Sequence, residues 1–330
     1  MEKTVHYLET HSQNPYYNLA FEEYVLCHRT EGDYLLLWQN DNTIVVGRNQ
    51  NTEAEINRAF VEEHHINVVR RGTGGGAVYH DLGNLNYSFI TDVGDDGISI
   101  RCFTQPVVAA LRSLGLNAEA SGRNDILVEG RKVSGTAQRR HAGRILHHGT
   151  LLFDANPGMV AGALNVDPEK FRSKSTKSVR ARIGNIRDFL PVDMDLPAFW
   201  TYLKDALSGG GLTPDALTAD ELAAVERLKT EKYDTWAWNY GRSPKFDVTR
   251  KRYWDGGCLE ASVSIADGRI TDIRFCGDFL AVRDMDALLA ALKGTAYRPE
   301  AVRPVLEASP VAELFGAITA DEVIATLFDL

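Results

Sequence analysis

The chain has 330 residues, of which 44% are hydrophobic and 25% charged, an ordinary balance for a globular protein with a large core. At this length we expect one large domain or two unequal ones. The formal net charge of −9 argues against general affinity for nucleic acid or anionic membranes, which select basic surfaces. The charged N-terminus predicts no signal peptide, and no apolar run approaches the roughly 18–20 residues of a membrane span. We therefore expect a cytoplasmic protein.

The first part of the chain predicts alternating strands and helices. Asn14 as cap and Pro15 in the first turn predict a helix in "NPYYNLAFEEYVL". Short apolar runs predict strands in "YLLLWQN", "TIVVGRN", "INVVRR", "LNYSFI" and "RILHHGTLLF". The stretch "CFTQPVVAALRSLGL" is typical of a helix, and "NDILVEGRKVSGTAQRR" of two strands that turn at Glu129 and Gly130.

The pattern changes after about residue 190. Two helical stretches, "LPAFWTYLKDALSGGG" and "DALTADELAAVERLKTEKY", precede the irregular and aromatic "WAWNYGRSPKF". The stretch "GGCLEASVSIADGRITDIRFCGDF" alternates on both sides of "ADGR", a strong hairpin signal, and helical patterns follow. We place the domain boundary near residues 243–247. The sequence therefore predicts an α+β protein with a large domain at 1–243 and a small α+β domain at 247–330.

The stretch "VVRRGTGGGAVYHDLGNLNYSFI" carries four glycines within five residues. It has no Gly-Lys-Ser/Thr of a Walker A loop, and although "GTGGGA" fits G-x-G-x-x-A, a turn and strand follow where a dinucleotide site needs a helix. Consecutive glycines can let backbone N–H groups approach an anion, and Arg70 and Arg71 can add charge-assisted bonds. A tight turn between two strands explains the glycines equally well, and the arginines favour a ligand.

Three further features have ordinary explanations beside functional ones. Lys132 follows a turn in an apolar setting, where a solvated surface lysine is the common case. His147 and His148 could be core-edge histidines. The segment 170–187 holds seven Lys/Arg and no Asp/Glu, which is most often a solvated face. In an acidic chain, such a segment also suggests an anionic partner.

Taken in order, these stretches resemble the lipoate–protein ligase A family. The motifs that carry the resemblance are "NLAFEE", "LLLWQNDNTIVVGRNQN", "RRGTGGGAVYHDLGNLNYSF", "ASGRNDILVEGRKVSGTAQ", "HHGTLLFDAN" and "SVRARIGNI". "WAWNYGRSPKF" is similar to the segment leading into that family's small C-terminal domain. The resemblance covers nearly the whole chain, more loosely after about residue 190. It implies a mixed β-sheet flanked by helices, as in biotin ligases, plus an accessory domain.

The resemblance also implies a two-step reaction. The lipoate carboxylate attacks the α-phosphate of ATP, giving lipoyl-adenylate and pyrophosphate. A carrier lysine then attacks the acyl carbon and AMP leaves. The implied carriers are lipoyl domains of 2-oxoacid dehydrogenase E2 subunits and the glycine-cleavage H protein, and Mg²⁺ would accompany ATP. The resemblance leaves the protein ligands of the metal unassigned, and it places an apolar slot along "WQNDNTIVVGRN".

The site residues are carried over from the family's motifs. Lys132 matches the lysine that bonds the acyl carbonyl and phosphate, and it is the implied catalytic residue. The implied contacts to ATP and lipoyl-adenylate are Arg70, Arg71, Gly74, Gly75, Gly76, Ala77, Val78, Tyr79, His80, Asn84, Asp125, Lys132, His148 and Gly149.

Other functions stay open at this point. Octanoyl or lipoyl transferases share the fold and the lysine but need a cysteine nucleophile shortly before the "GRK" turn, where this chain has none. A non-catalytic lipoate-binding or carrier-binding relative is a second alternative, and a nicotinamide oxidoreductase is a distant third. We expect a monomer. Neither the preferred carrier nor the choice between lipoate and octanoate follows from the sequence.

Overall fold

The computed structural model of the chain describes residues 5–93, 100–122, 124–164, 183–208, 211–240 and 248–328. Its strands, in chain order, are β1 (Val5–Glu9), β2 (Asp33–Trp38), β3 (Thr43–Val46), β4 (Asn67–Arg70), β5 (Val78–His80), β6 (Asn84–Asp92), β7 (Ala118–Ser121), β8 (Asp125–Val128), β9 (Arg131–His141), β10 (Arg144–Leu152), β11 (Leu212–Pro214), β12 (Val248–Trp254), β13 (Gly257–Ala266) and β14 (Arg269–Gly277).

The helices of the described residues are mostly short and lie outside the sheets. They are α1 (Pro15–His28), α2 (Thr52–Glu55), α3 (Arg58–Glu63), α4 (Ile100–Ser113), α5 (Pro157–Ala163), α6 (Leu196–Leu207), α7 (Ala219–Leu228), α8 (Trp236–Asn239), α9 (Asp286–Leu292), α10 (Pro299–Glu307), α11 (Val311–Phe315) and α12 (Ala320–Phe328). A 3-10 turn (Ile186–Phe189) precedes α6, and a π-helical turn (Lys229–Tyr233) continues α7.

Three sheets organise the chain. The largest has eight strands in the order β11-β1-β2-β6-β10-β9-β8-β7. Strand β1 is parallel to β11 and β2, and the other neighbours pair antiparallel. A second sheet has the order β4-β3-β5, and a third, β12-β13-β14, belongs to the C-terminal part. The expected mixed sheet flanked by helices, with a smaller α+β unit after it, is confirmed.

Strand alternation sorts the side chains of the large sheet between its two faces. On β10, His147 stacks on Phe103 of α4, with ring centroids 4.9 Å apart. Its neighbour His148 faces the opposite side, toward α1 and the small sheet. The first face packs its core against α4 and α6, and the second against α1, α7 and strands β3 and β4. A cavity between the large and small sheets lies on this second face.

Local signals predicted the element ends well. The Asn14 side chain accepts hydrogen bonds from the amides of Tyr16 and Tyr17 at the start of α1. Glu129 and Gly130 take φ of 49° and 74°, as a two-residue hairpin turn requires. Strand pairing was less predictable: "YLLLWQN" and "TIVVGRN" are adjacent in sequence but join different sheets. Strand β12 was not expected, because its charged "VTRKRYW" does not alternate; it forms by pairing with β13.

The C-terminal unit has its own core, built from β13, β14 and helices α9 to α12. The proposed boundary at 243–247 and residues 170–182 of the basic segment lie outside the described residues. Arg187, at the end of that segment, pairs with Asp154 and Asp193. Among the residues described here, no helix is both long and apolar enough to cross a membrane.

Candidate active site

A cavity of about 120 Å³ lies between the large sheet and the small sheet. Its walls come from β2, β6, β9 and β10 on one side and from β3, β5 and the glycine loop on the other, with Leu19 of α1 beside them. Most of the site residues expected from the sequence line it: Arg71, Gly75, Gly76, Ala77, Val78, His80, Lys132, His148 and Gly149. The expected apolar slot is represented by Trp38 and Val45.

Lys132 is the second residue of β9, in the hairpin that β8 and β9 form. Its ammonium Nζ is 2.7 Å from Oδ1 of Asp125, and both side chains are about one-third exposed, at 37% and 35%. A Cβ on Gly135 would lie 3.1 Å from the same Nζ, so the glycine gives the lysine room to fold across the strand. The result is a paired but accessible cation at the mouth of the cavity. Asp125 contacts Lys132, which lines the cavity, but does not itself line it.

His148 is held in the cavity wall by hydrogen bonds at both ring nitrogens. Nδ1 lies 2.9 Å from Oε1 of Glu22, and since a carboxylate only accepts, Nδ1 carries a proton. Nε2 lies 2.8 Å from the Thr73 hydroxyl, which in turn accepts from Nε of Arg71 at 2.9 Å. Ser88 also donates to Glu22. This buried chain ties the glycine loop to α1 and fixes the imidazole.

Arg71 forms the inside of the glycine loop. Its Nη2 donates to the carbonyls of Gly74 at 2.6 Å and Gly76 at 2.9 Å, and Nη1 donates to Val45 at 3.2 Å. Burial, followed by the neighbouring Arg70 cation, lowers the pKa of Arg71 to about 10. Because its guanidinium binds these carbonyls, Arg71 stabilises the conformation of the glycine loop.

Arg70 points away from the cavity. Its guanidinium donates to six oxygens: the carbonyls of Gly47, Arg48, Gln50, Trp238 and Asn239 and the hydroxyl of Thr52. These bonds fasten the end of β4 to α8, just before the proposed domain boundary. In this conformation the guanidinium is occupied by the protein itself, so its expected nucleotide contact stays a prediction.

The glycines of the loop differ in what they accommodate. A Cβ on Gly72 would lie 2.6 Å from Nη1 of Arg139, and one on Gly74 would lie 2.7 Å from the amide of Ala281 in the C-terminal unit. Gly75 has φ of +90° and donates its N–H to the carbonyl of Phe279. Gly76 meets only Asp278, at an ordinary 3.8 Å. Both sequence interpretations therefore apply: packing explains three of these glycines, and Gly76 is the one left open at the cavity.

The remaining expected residues have structural partners. Tyr79, on β5 of the small sheet, donates its hydroxyl to Asn42 and packs in the core between that sheet and the helices α3 and α5. Asn84 contacts Asn86, which lines the cavity, at 3.0 Å. Gly149 lines the cavity, and a Cβ there would lie 2.5 Å from the Tyr87 hydroxyl on the other face.

Comparison with known proteins identifies the family. Residues 14–208 match the lipoyl protein ligase A/B catalytic domain, and residues 243–327 match the bacterial lipoate protein ligase C-terminus. The lipoate-protein ligase LplJ of Bacillus subtilis (strain 168) is 42% identical over 321 residues, covering 96% of this chain and 97% of that protein. The chain belongs to the lipoate–protein ligase family.

Solved structures of the family extend the likeness. A crystal structure of lipoate-protein ligase A bound with ATP is 29% identical, with a TM-score of 0.64, and covers 73% of this chain and 99% of that one. A bi-partite lipoate protein ligase of an archaeal lipoylation system, described together with its E2 lipoyl domain from Thermoplasma acidophilum, is 32% identical with the same TM-score, covering 75% of this chain and 100% of that one. LipL1 of P. falciparum, at 24% identity and a TM-score of 0.82 over 99% of both chains, shares the fold.

Two supporting residues of this ligase-family site were missed from the sequence. Glu22 lies within "NLAFEE" and Thr73 lies inside the glycine loop, and together they hold His148. The adjacent Glu23 turns instead to Arg139, Lys232 and the Tyr233 hydroxyl. Burial alone would raise the pKa of Glu23, but Lys232 and Arg139 lower it to about 2. The sequence signal that could have separated Glu22 from Glu23 is their position on the helix, because consecutive residues of a helix point in different directions.

Proposed function

We propose that this chain is an ATP-dependent lipoate–protein ligase. It activates lipoate as lipoyl-AMP and transfers the lipoyl group to a lysine of a carrier protein, forming an amide bond. The named relatives support the reaction, since they are lipoate-protein ligases that match nearly the whole chain. The single structural observation that carries it is Lys132, an accessible cation at a mostly apolar cavity beside a glycine loop.

The chemistry assigns Lys132 to the charge that develops in both steps. When the lipoate carboxylate oxygen attacks the α-phosphorus, pyrophosphate leaves and negative charge gathers on the phosphoryl oxygens. A fixed cation aimed at that charge stabilises the transition state more than the bound substrates. In the second step the carrier amine attacks the acyl carbon, loses a proton, and AMP departs. The acyl-phosphate oxygens take part in both steps. Lys132 can bind them in each step if its ammonium group leaves Asp125 and contacts the substrate.

ATP is the proposed nucleotide, and its metal is expected to be Mg²⁺ carried on the phosphates. Magnesium usually binds through substrate phosphates and a few carboxylates, without a dedicated protein cage. Within the described ranges, no group of three or more His, Cys, Asp or Glu side chains is placed to hold a metal ion. Asp125, the carboxylate beside Lys132, is paired with that lysine.

The proposed carriers are lipoyl domains of E2 subunits and the glycine-cleavage H protein. The archaeal relative, which is described together with its own E2 lipoyl domain, supports the first of these. We also propose that the protein is a monomer in the cytoplasm. Size-exclusion chromatography with light scattering and cell fractionation would test those two points.

Transfer by a cysteine nucleophile is disfavoured by the cavity itself. Of the described residues that line it, none is a cysteine. Cys258 and Cys276 are buried in the C-terminal unit, and burial raises the pKa of Cys276. A transferase would need an accessible thiolate beside the acyl group.

Lipoate-dependent exchange of labelled pyrophosphate into ATP is the deciding assay. The wild type should exchange only when lipoate is present, and Lys132→Ala should lose roughly 100-fold or more of that rate. Lys293→Ala is the matched control, because Lys293 also pairs with an aspartate, Asp272 at 2.8 Å, on the C-terminal sheet. Wild-type exchange without lipoate dependence would reject the ligase assignment. Near-normal exchange by Lys132→Ala would reject the role of the lysine alone.

A further inference from the structure

The floor of the cavity runs across the strands of the large sheet. Gly135 under Lys132 lies on β9, Thr150 on β10, Asn86 on β6 and Trp38 on β2, and the register places the last three directly opposite one another. Three strand spacings of about 4.8 Å span roughly 14 Å from β9 to β2. This span is comparable to an extended lipoate with its carboxylate at Lys132. The dithiolane ring of that molecule would then reach Trp38 and its neighbour His80.

Two polar side chains at this far end, His80 and Asn86, each keep a buried donor nitrogen that has no hydrogen-bond partner among the described residues. His148 is bonded at both nitrogens, and the Trp38 indole N–H donates to Ser88 at 2.9 Å. His80 is 3% exposed and lines the cavity, with its ring centroid 6.5 Å from that of Trp38. Its Nε2 is buried and, in the part of the chain that the structure describes, has no hydrogen-bond partner.

A chain of amides sets which nitrogen of His80 carries the proton. Asn18 Nδ2 donates to the backbone carbonyls of Ser12 at 3.0 Å and Gln39 at 2.6 Å, which orients that amide. The same NH2 group also donates to Oδ1 of Asn40, sharing one of its two protons, so Asn40 turns its Nδ2 toward Nδ1 of His80, 3.2 Å away. Nδ1 therefore accepts, and the proton of the neutral ring is on Nε2.

The ring is neutral across the physiological range. Burial, followed by the nearby Arg71 and His148, lowers the pKa of His80 to about 3. His80 therefore presents a fixed N–H donor, and not a positive charge, to this end of the cavity.

We infer that His80 is a specificity-determining residue that selects lipoate over octanoate by donating its Nε2–H to a dithiolane sulfur. This inference rests on the proposed function. Sulfur is a weak acceptor, but an all-carbon chain offers none and would leave a buried donor unpaired. Sites built to hydrogen-bond one substrate discriminate against an analogue that lacks the partner. Because the sulfur is weak, we expect a preference of about tenfold in kcat/KM.

Selectivity is measured by pyrophosphate exchange with lipoate and octanoate on three proteins. The wild type should prefer lipoate by about tenfold. His80→Leu removes the donor and should narrow the preference to below about threefold. His80→Gln keeps a donor near the Nε2 position and should retain most of it, which a loss of packing alone would not predict. Unchanged selectivity in His80→Leu, or no preference in the wild type, would overturn the inference.

A second measurement needs no variant and guards against misfolding of His80→Leu. In the full-length protein labelled with ¹⁵N-histidine, the His80 ring should show the Nε2–H tautomer at neutral pH. Lipoate should shift its Nε2–H resonance, and octanoate should shift it much less. An Nδ1–H tautomer, or equal shifts with both acids, would refute the inference. Absence of exchange with either acid would instead count against the proposed function, so the two failures are distinguishable.

Discussion

Replacing Gly76 by alanine tests whether substrate approaches the backbone of the glycine loop. Gly76 lines the cavity, lies outside the positive-φ region, and would place its new Cβ 3.8 Å from Asp278, an ordinary contact. A compatible Gly→Ala change stabilises by about 0.4–1 kcal/mol, because it restricts the unfolded chain. The folded protein should therefore keep or slightly raise its Tm. A methyl group in the path of the nucleotide should at the same time weaken binding.

The magnitude follows from what the methyl group would displace. Losing one backbone hydrogen bond to a charged group is worth about 1.5–3 kcal/mol, or roughly 10- to 150-fold. Gly75→Ala is the matched comparison one residue earlier. Its φ of +90° costs on the order of 1–2 kcal/mol with any side chain, and its Cβ would lie 3.0 Å from Nη2 of Arg71. The two variants should thus separate lost binding from lost stability.

The assay pairs the KM for ATP in pyrophosphate exchange with thermal unfolding of each variant. Gly76→Ala should raise the KM for ATP at least tenfold with an unchanged Tm. Gly75→Ala should lower the Tm by several degrees, at about 2–4 °C per kcal/mol for a protein of this size. If Gly76→Ala binds ATP as the wild type does and is equally stable, no ligand approaches the loop backbone there. The glycines would then serve packing only.

Two further predictions concern the interface and the buried histidines. Gly74→Ala would place its Cβ 2.7 Å from the amide of Ala281, so the loop and the C-terminal unit must separate. We expect lipoyl-AMP formation to fall more than transfer from supplied lipoyl-AMP, and an equal fall would contradict a role in activation. Burial holds the pKa of His147 at about 3 against its ordinary 6.5, so unfolding takes up protons and stability falls as pH drops below about 6.5. In urea titrations between pH 6 and 4, His147→Leu should remove about 1.4 kcal/mol per pH unit of that slope, and parallel curves would refute it.

Local chemistry was readable from the sequence because its partners are close along the chain. Asn14 caps α1 through amides two and three residues ahead, and Glu129 with Gly130 closes a hairpin on adjacent strands. The partition of strands between sheets was not readable. The strand in "TIVVGRN", β3, does not pair with β2 and instead pairs with β4 and β5. This pairing is determined by packing against α3 and α5. Tertiary contacts of this kind override local preference and leave no local signal.

The two adjacent arginines show the limit for the site. Residue type alone makes Arg70 and Arg71 equal candidates for binding an anion. Their donors are used differently, because Trp238 and Asn239 reach Arg70 from 168 and 169 residues away, whereas the loop itself folds around Arg71. Lys132, by contrast, is paired with Asp125 and has about one-third of its side chain exposed. A residue can therefore bind substrate when its donor can exchange its protein partner for substrate, as at Lys132, or when the donor has no partner among the described residues, as at His80.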